Sequence, residues 1–202
     1  RSYYKVAERI RDEEGAFLPN QYHNAANPQT HYKTTGPEIW RQTDGKITHW
    51  VAGVGTGGTI SGVSRFLKEQ IPAIRTIGVD PVGSVYAYWN EHGHLPPPEE
   101  LGFYLIDGIG QSYMPDSCWP ETIDEVITVS DQIAYDEVFA LAKSDAVFTG
   151  SSGAAAAWAA REVARKLPAD ALVVTLLPDS GERYLSKLNP EWMKEKGLLG
   201  AD

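Results

Sequence analysis

Val51-Ala52-Gly53-Val54-Gly55-Thr56-Gly57-Gly58-Thr59-Ile60 decides how this chain is read. The run leading into it, Lys46-Ile47-Thr48-His49-Trp50-Val51-Ala52, is short and rich in β-branched and aromatic residues, while Ile60, Val63 and Leu67 afterwards recur at helical spacing. The glycines therefore join a strand to the start of a helix. Unpaired N–H groups there, together with the positive end of the helix dipole, favour a dianion, and Thr56 and Thr59 add hydroxyl donors. Without a ligand the stretch is a tight strand-to-helix turn. A dinucleotide site is a further alternative: residues 53–58 fit G-x-G-x-x-G, and Asp80 ends the next expected strand, about where a ribose-binding acid belongs. The two threonines suit a terminal phosphate monoester better than a bridging pyrophosphate.

A chain of 202 residues, 42% of them hydrophobic, can bury one good core and at most a second small lobe. No apolar run approaches the roughly 18 residues of a membrane span, and Arg1-Ser2-Tyr3-Tyr4-Lys5 lacks the apolar stretch of a signal peptide, so a cytoplasmic location is the expectation. Cys118 is the only cysteine, which excludes an internal disulfide, and the five histidines form no metal-binding spacing. A net charge of −9 argues against nucleic acid or an anionic membrane as partner. An anionic ligand must therefore be held by local backbone donors.

Ser2 to Glu14 reads as a helix with Tyr3, Val6, Ala7 and Ile10 on one face, and Gly15 as its stop. A short strand is expected near Ala16-Phe17-Leu18, a loop over Asn24-Ala25-Ala26-Asn27-Pro28, and a helix from Thr35 through Trp40. From there strand and helix alternate: strand Thr48–Val54, helix Thr59–Gln70, strand Thr76–Asp80, then a surface excursion over Glu91–Glu100. Strand Glu125–Val129 leads to a helix capped by Ser130 or Asp131 that runs through Lys143, with Ile133, Leu141 and Ala142 inward. Gly150-Ser151-Ser152-Gly153 opens an alanine-rich helix to about Leu167, one serine serving as cap and the other left for a ligand. Ala171–Leu177 is uniformly apolar and reads as a central buried strand. This alternation marks a parallel sheet covered on both faces. Asp107-Gly108-Ile109-Gly110-Gln111, the 150–153 turn and Pro178-Asp179-Ser180-Gly181 all fall just past expected strand ends, where such a sheet places its ligands.

Together these clusters resemble one family. Residues 21–28 (QYHNAANP), 34–40 (TTGPEIW), 55–59 (GTGGT), 78–81 (GVDP), 108–110 (GIG), 151–155 (SSGAA) and 177–187 (LPDSGERYLSK) are similar, in order, to the cysteine synthase and cystathionine β-synthase family of pyridoxal-phosphate enzymes. Residues 178–187 and Glu191-Trp192-Met193 look like the cystathionine β-synthase branch, while Thr34–Trp40 and Ile123–Val129 look like O-acetylserine sulfhydrylase, so both branches stay open. The resemblance implies fold type II, tryptophan-synthase-β-like: an α/β fold with an open, mostly parallel sheet and helices on both faces. It further implies that residues 1–19 are the remnant of a smaller N-terminal domain and 20–202 a large cofactor-phosphate-binding domain.

Carried over by position, the resemblance makes Gly55, Thr56, Gly57, Gly58 and Thr59 the cradle for the phosphate of pyridoxal 5′-phosphate, and Ser151 the partner of its pyridine nitrogen. A serine there bonds a neutral nitrogen and leaves the ring a weaker electron sink, which suits β-elimination followed by β-addition. Gln21 is placed near the substrate carboxylate and Gly108 at the border of the substrate pocket. The implied reaction is replacement of the β-substituent of serine or an activated serine by a sulfur nucleophile, in a homodimer acting on small amino acids. Two departures stand out. The chain is one residue shorter than the family pattern between Ala142 and Gly153. The family's Schiff-base lysine, in a Ser-x-Lys-x-Arg context, is matched by no lysine here, so a C-terminal fragment with little activity of its own is expected. The alternatives are a non-catalytic phosphate-binding module that completes a site with another chain, and an NAD-binding domain.

Overall fold

The computed structural model describes residues 3–199. Its four strands, β1 (His49–Gly53), β2 (Arg75–Pro81), β3 (Glu125–Val129) and β4 (Val173–Thr175), pair in parallel in the order β3-β2-β1-β4. From β1 the chain steps outward to β2 and β3, then returns to the far side of β1. The strand order thus reverses between β1 and β4, which opens a crevice beyond their carboxyl ends.

Alternation along β1 divides the core between two layers. Trp50, Ala52 and Val54 join Ile60, Val63 and Leu67 of α4 (Gly58–Gln70), Ile39 of α3 (Thr35–Gln42), and Val85 and Tyr86 at the start of α5 (Tyr86–His92). Val51 lies on the other face with Ile77 and Val79, against Ala134 of α6 (Asp131–Asp145) and Ala155 and Ala159 of α7 (Ser151–Ala164). The alanines let α7 lie close on the sheet, and the open parallel sheet with helices on both faces is the architecture expected. No described helix is long and apolar enough to cross a membrane.

Several local expectations are corrected. Ala16-Phe17-Leu18 forms no strand, and Phe17 is 89% exposed, because no described strand lies beside it to accept its backbone bonds. The proposed loop at 24–28 instead runs into α2 (Ala26–Lys33). Pro28 sits in its first turn, where a missing N–H costs no helical bond. Helix α5 occupies residues read as connection. On α6 the buried side chains are Ala134, Tyr135, Glu137 and Val138, with Ile133, Leu141 and Ala142 only half-buried, while Ser130 caps it by accepting the Ile133 amide at 3.3 Å. Most consequentially, β4 is an edge strand of half-buried residues and not a central one, since β1 is its only described neighbour. Helix α1 (Tyr3–Glu14) buries none of its side chains. A short α8 (Pro190–Glu195), capped by Asn189 on the Trp192 amide at 2.9 Å, ends the described elements.

Candidate functional site

The crevice between β1 and β4 holds a cavity of about 270 Å³ lined by Gln21, by residues 55–59 after β1, by Gly108 and Ile109, by Ser152 and by Pro178 and Asp179 after β4. It adjoins a larger hollow of about 810 Å³, whose walls share Gln21, Gly55, Thr56, Gly108 and Ile109 and add Phe103, Tyr104 and Asp107. All the residues assigned to the phosphate cradle, together with Gln21 and Gly108, are therefore brought to one place. Among the described residues, no lysine or arginine lines either space.

Close packing explains the glycines. A Cβ on Gly55 would lie 2.4 Å from the Gly108 carbonyl, and one on Gly58 would lie 1.9 Å from Oδ1 of Asn27. The 108–110 turn can approach because Gly110 donates its amide to Val54 O at 2.8 Å, and Gly108 and Gly110 adopt φ of +86° and +84°. Gly57, at φ +82°, is the residue immediately before α4 and needs the left-handed backbone that glycine adopts without strain.

Among the described residues, the amides of Gly55, Thr56, Gly57 and Thr59 have no acceptor in the protein. Both hydroxyls have side-chain neighbours behind the loop. Thr56 Oγ1 accepts from Asn27 Nδ2 at 3.0 Å and from the Gly58 amide at 3.4 Å, which leaves its own O–H free to donate. Thr59 Oγ1 lies 3.2 Å from His31 Nε2, whose other ring nitrogen meets Thr35 Oγ1 at 2.9 Å; burial holds the imidazole below its ordinary pKa and so neutral. The cradle thus offers four amides and the Thr56 hydroxyl at a helix start, with Thr59 Oγ1 beside them on His31. That donor set fits a phosphate monoester dianion.

The serines are arranged differently from the sequence expectation. Neither Ser151 nor Ser152 caps α7; the residue before it is Gly150, with no side-chain cap. Ser152 borders the cavity, while Ser151 Oγ accepts the Asp107 amide at 3.2 Å and lies outside the lining. Asp107 is also gripped by Lys187, whose Nζ lies 2.6 and 2.7 Å from its carboxylate oxygens. Asp179 accepts from the Tyr184 hydroxyl through Oδ2, and its Oδ1 is buried without a partner.

Asp80, the residue a dinucleotide would require, lines neither space. It is fully buried, and its Oδ2 accepts the amides of Tyr86 and Ala87 at 3.0 and 3.1 Å, holding the start of α5. Desolvation pushes its pKa up to about 7. Sequence reasoning missed Asn27, His31, Ser117, Tyr86 and Ser152 as parts of the site. Asn27 lay within a quoted motif; Tyr86 and Ser117 carried no signal, since only the fold brings them behind the glycine loop.

Residues 1–179 match the family described as "Pyridoxal-phosphate dependent enzyme". The chain is 41% identical over 174 residues to an O-acetylserine dependent cystathionine beta-synthase of Bacillus subtilis, an alignment covering 86% of this chain and 53% of that protein. It is 37% identical over 200 residues to a cystathionine beta-synthase of Apis mellifera, covering 98% of this chain and 39% of the other. With a cysteine synthase of Helicobacter pylori the identity is 41% over 183 residues, covering 91% and 56%. The chain therefore spans about half the length of the curated relatives it matches, or less.

Proposed function

Because the chain belongs to the pyridoxal-phosphate dependent enzyme family, we propose that its glycine loop holds the phosphate of pyridoxal 5′-phosphate for β-replacement on serine or O-activated serine by a sulfur nucleophile. The observation that carries this reading is the set of acceptor-free amides at Gly55, Thr56, Gly57 and Thr59, with the hydroxyls of Thr56 and Thr59, on one cavity at the β1/β4 crevice. When bound, the cofactor supplies a sink for the electron pair left at the α-carbon of the amino acid. This chain's residues bind and orient. Gln21 and Gly108, shared by both cavities, are proposed to border the substrate. The resemblance assigns the pyridine nitrogen to Ser151, which lines neither hollow and accepts the Asp107 amide; Ser152 is the serine that borders the cavity.

Residues 1–19 are proposed as part of a smaller domain and 20–202 as the cofactor domain, a division supported by α1 burying no side chain. The absence of lysine from both linings supports a site completed by a segment outside this chain, which would carry the covalent anchor and the base for the α-proton. A homodimer is part of the same reading and rests on the resemblance, and a cytoplasmic location is proposed with it. The reading covers both the cystathionine β-synthase and the O-acetylserine sulfhydrylase branches, whose nucleophiles are homocysteine and sulfide.

Affinity measurements on the chain test this. A hydrogen bond to a charged group contributes about 1.5–3 kcal/mol, so pyridoxal without its phosphate should bind at least about tenfold more weakly than pyridoxal 5′-phosphate. Serine with homocysteine, or O-acetylserine with sulfide, should give no product above a cofactor-only control until the missing segment is supplied. Equal affinity for pyridoxal, or NAD binding that is tighter and lost on Asp80→Ala, would overturn the reading.

A further inference from the structure

The peptide units of the cradle are gripped from behind. Tyr86 donates its hydroxyl to the carbonyl of Gly55 at 2.5 Å, and Ser117 Oγ lies 2.7 Å from the carbonyl of Thr56 and 3.0 Å from that of Tyr22, the nearer being the better acceptor for its one proton. A trans peptide is planar, with its C=O and N–H pointing in opposite directions. Holding the Gly55 carbonyl towards Tyr86 therefore turns the Thr56 N–H the other way, and holding the Thr56 carbonyl towards Ser117 does the same for the Gly57 N–H. These are two of the amides that have no acceptor in the protein.

Both grips come from rigid, buried positions. Ser117 is fully buried and Tyr86 is 3% exposed, its ring packed in the layer formed by Trp50, Val54, Ile60 and Cys118. The Asp80 carboxylate fixes the Tyr86 backbone through the amides of Tyr86 and Ala87. The loop itself cannot supply this rigidity. Gly55 and Gly57 flank Thr56, and glycine admits both signs of φ, so their own dihedral preferences do not fix the orientation of the intervening peptides. A rotated Gly55–Thr56 peptide would present its carbonyl, the negative end of the dipole, to an anion.

We propose that Tyr86 is a positioning residue for the phosphate cradle, its hydroxyl fixing the Gly55–Thr56 peptide so that the Thr56 amide donates to the bound phosphate, with Ser117 doing the same for Gly57. This rests on the phosphate reading of the loop. Tyr86→Phe keeps the packed ring and removes only the hydroxyl. Inorganic phosphate and pyridoxal 5′-phosphate are titrated into wild type and variant, following each backbone amide by NMR and measuring the melting temperature without ligand.

In wild type, the Gly55, Thr56, Gly57 and Thr59 amides should move together on phosphate addition. Tyr86→Phe should weaken phosphate about ten- to a hundred-fold and erase the Thr56 shift. Ser117→Ala should erase the Gly57 shift and keep that of Thr56, which a general loss of stability would not do; it also serves if Tyr86→Phe does not fold. Wild-type cradle shifts with unchanged affinity and an intact Thr56 shift in Tyr86→Phe would overturn the positioning role and leave the phosphate site standing. No cradle shifts in wild type would overturn both.

Discussion

A methyl group at Gly57 would lie 2.4 Å from Cβ and 2.7 Å from Sγ of buried Cys118, on a backbone already at φ +82°. Both the contact and the left-handed backbone penalise any side chain there, by about 1–3 kcal/mol for the backbone alone. Gly57→Ala should therefore lower the thermal midpoint and cost the loop its phosphate affinity together; calorimetry and a phosphate titration measure the two, and a variant that binds like wild type would contradict the cradle geometry. At this scale the sequence was informative where one short stretch holds all the chemistry. Gly55 to Thr59 could be read because strand, glycines, hydroxyls and helix follow one another. Asn27, His31, Tyr86 and Ser117 could not, because each reaches the loop from another part of the chain and meets it only after folding. The two adjacent serines at 151 and 152 marked the right turn without fixing which hydroxyl borders the cavity, since the choice depends on how α7 is rotated against the Asp107 amide.

Helix α5 has seven residues and depends on Asp80 for its start. Burial raises that carboxyl to about 7, so the folded protein holds the proton more tightly than the unfolded chain between about pH 4 and pH 7. Stability must then fall as pH rises through that window. Asp80→Asn removes the titration, so its melting temperature relative to wild type should become more favourable from pH 5 to pH 8; a difference independent of pH would contradict the buried carboxylate. The elements that were legible are those with a clear period or cap, such as α4, β3 and the Ser130-capped α6. Helices α2 and α5 were missed because each is a turn or two long, with Pro28 in one and no apolar stripe in the other. Strand β4 was misplaced for a different reason. An apolar run reports that a strand favours burial, but its place in the strand order follows from chain connectivity, and here the return crossover puts it at the edge beside β1.

At the scale of the whole molecule, the sheet order brings the ends of β1 and β4 together and thereby makes one pocket from segments more than a hundred residues apart. The fold class was readable from the alternation of strands and helices, because a parallel sheet requires each crossover to cover a face. The position of the crevice was not, since it depends on which side of β1 the last strand joins. With a net charge of −9 and no basic side chain in the lining among the described residues, the donors that face an anion are the loop's own amides and hydroxyls. The most direct test is therefore to map backbone amide shifts across the chain as pyridoxal 5′-phosphate is added. The largest shifts should fall on Gly55, Thr56, Gly57 and Thr59, and excess inorganic phosphate should reverse them. Shifts centred on Tyr113 and His23, at the far end of the adjoining aromatic hollow, or unaffected by phosphate, would contradict the account.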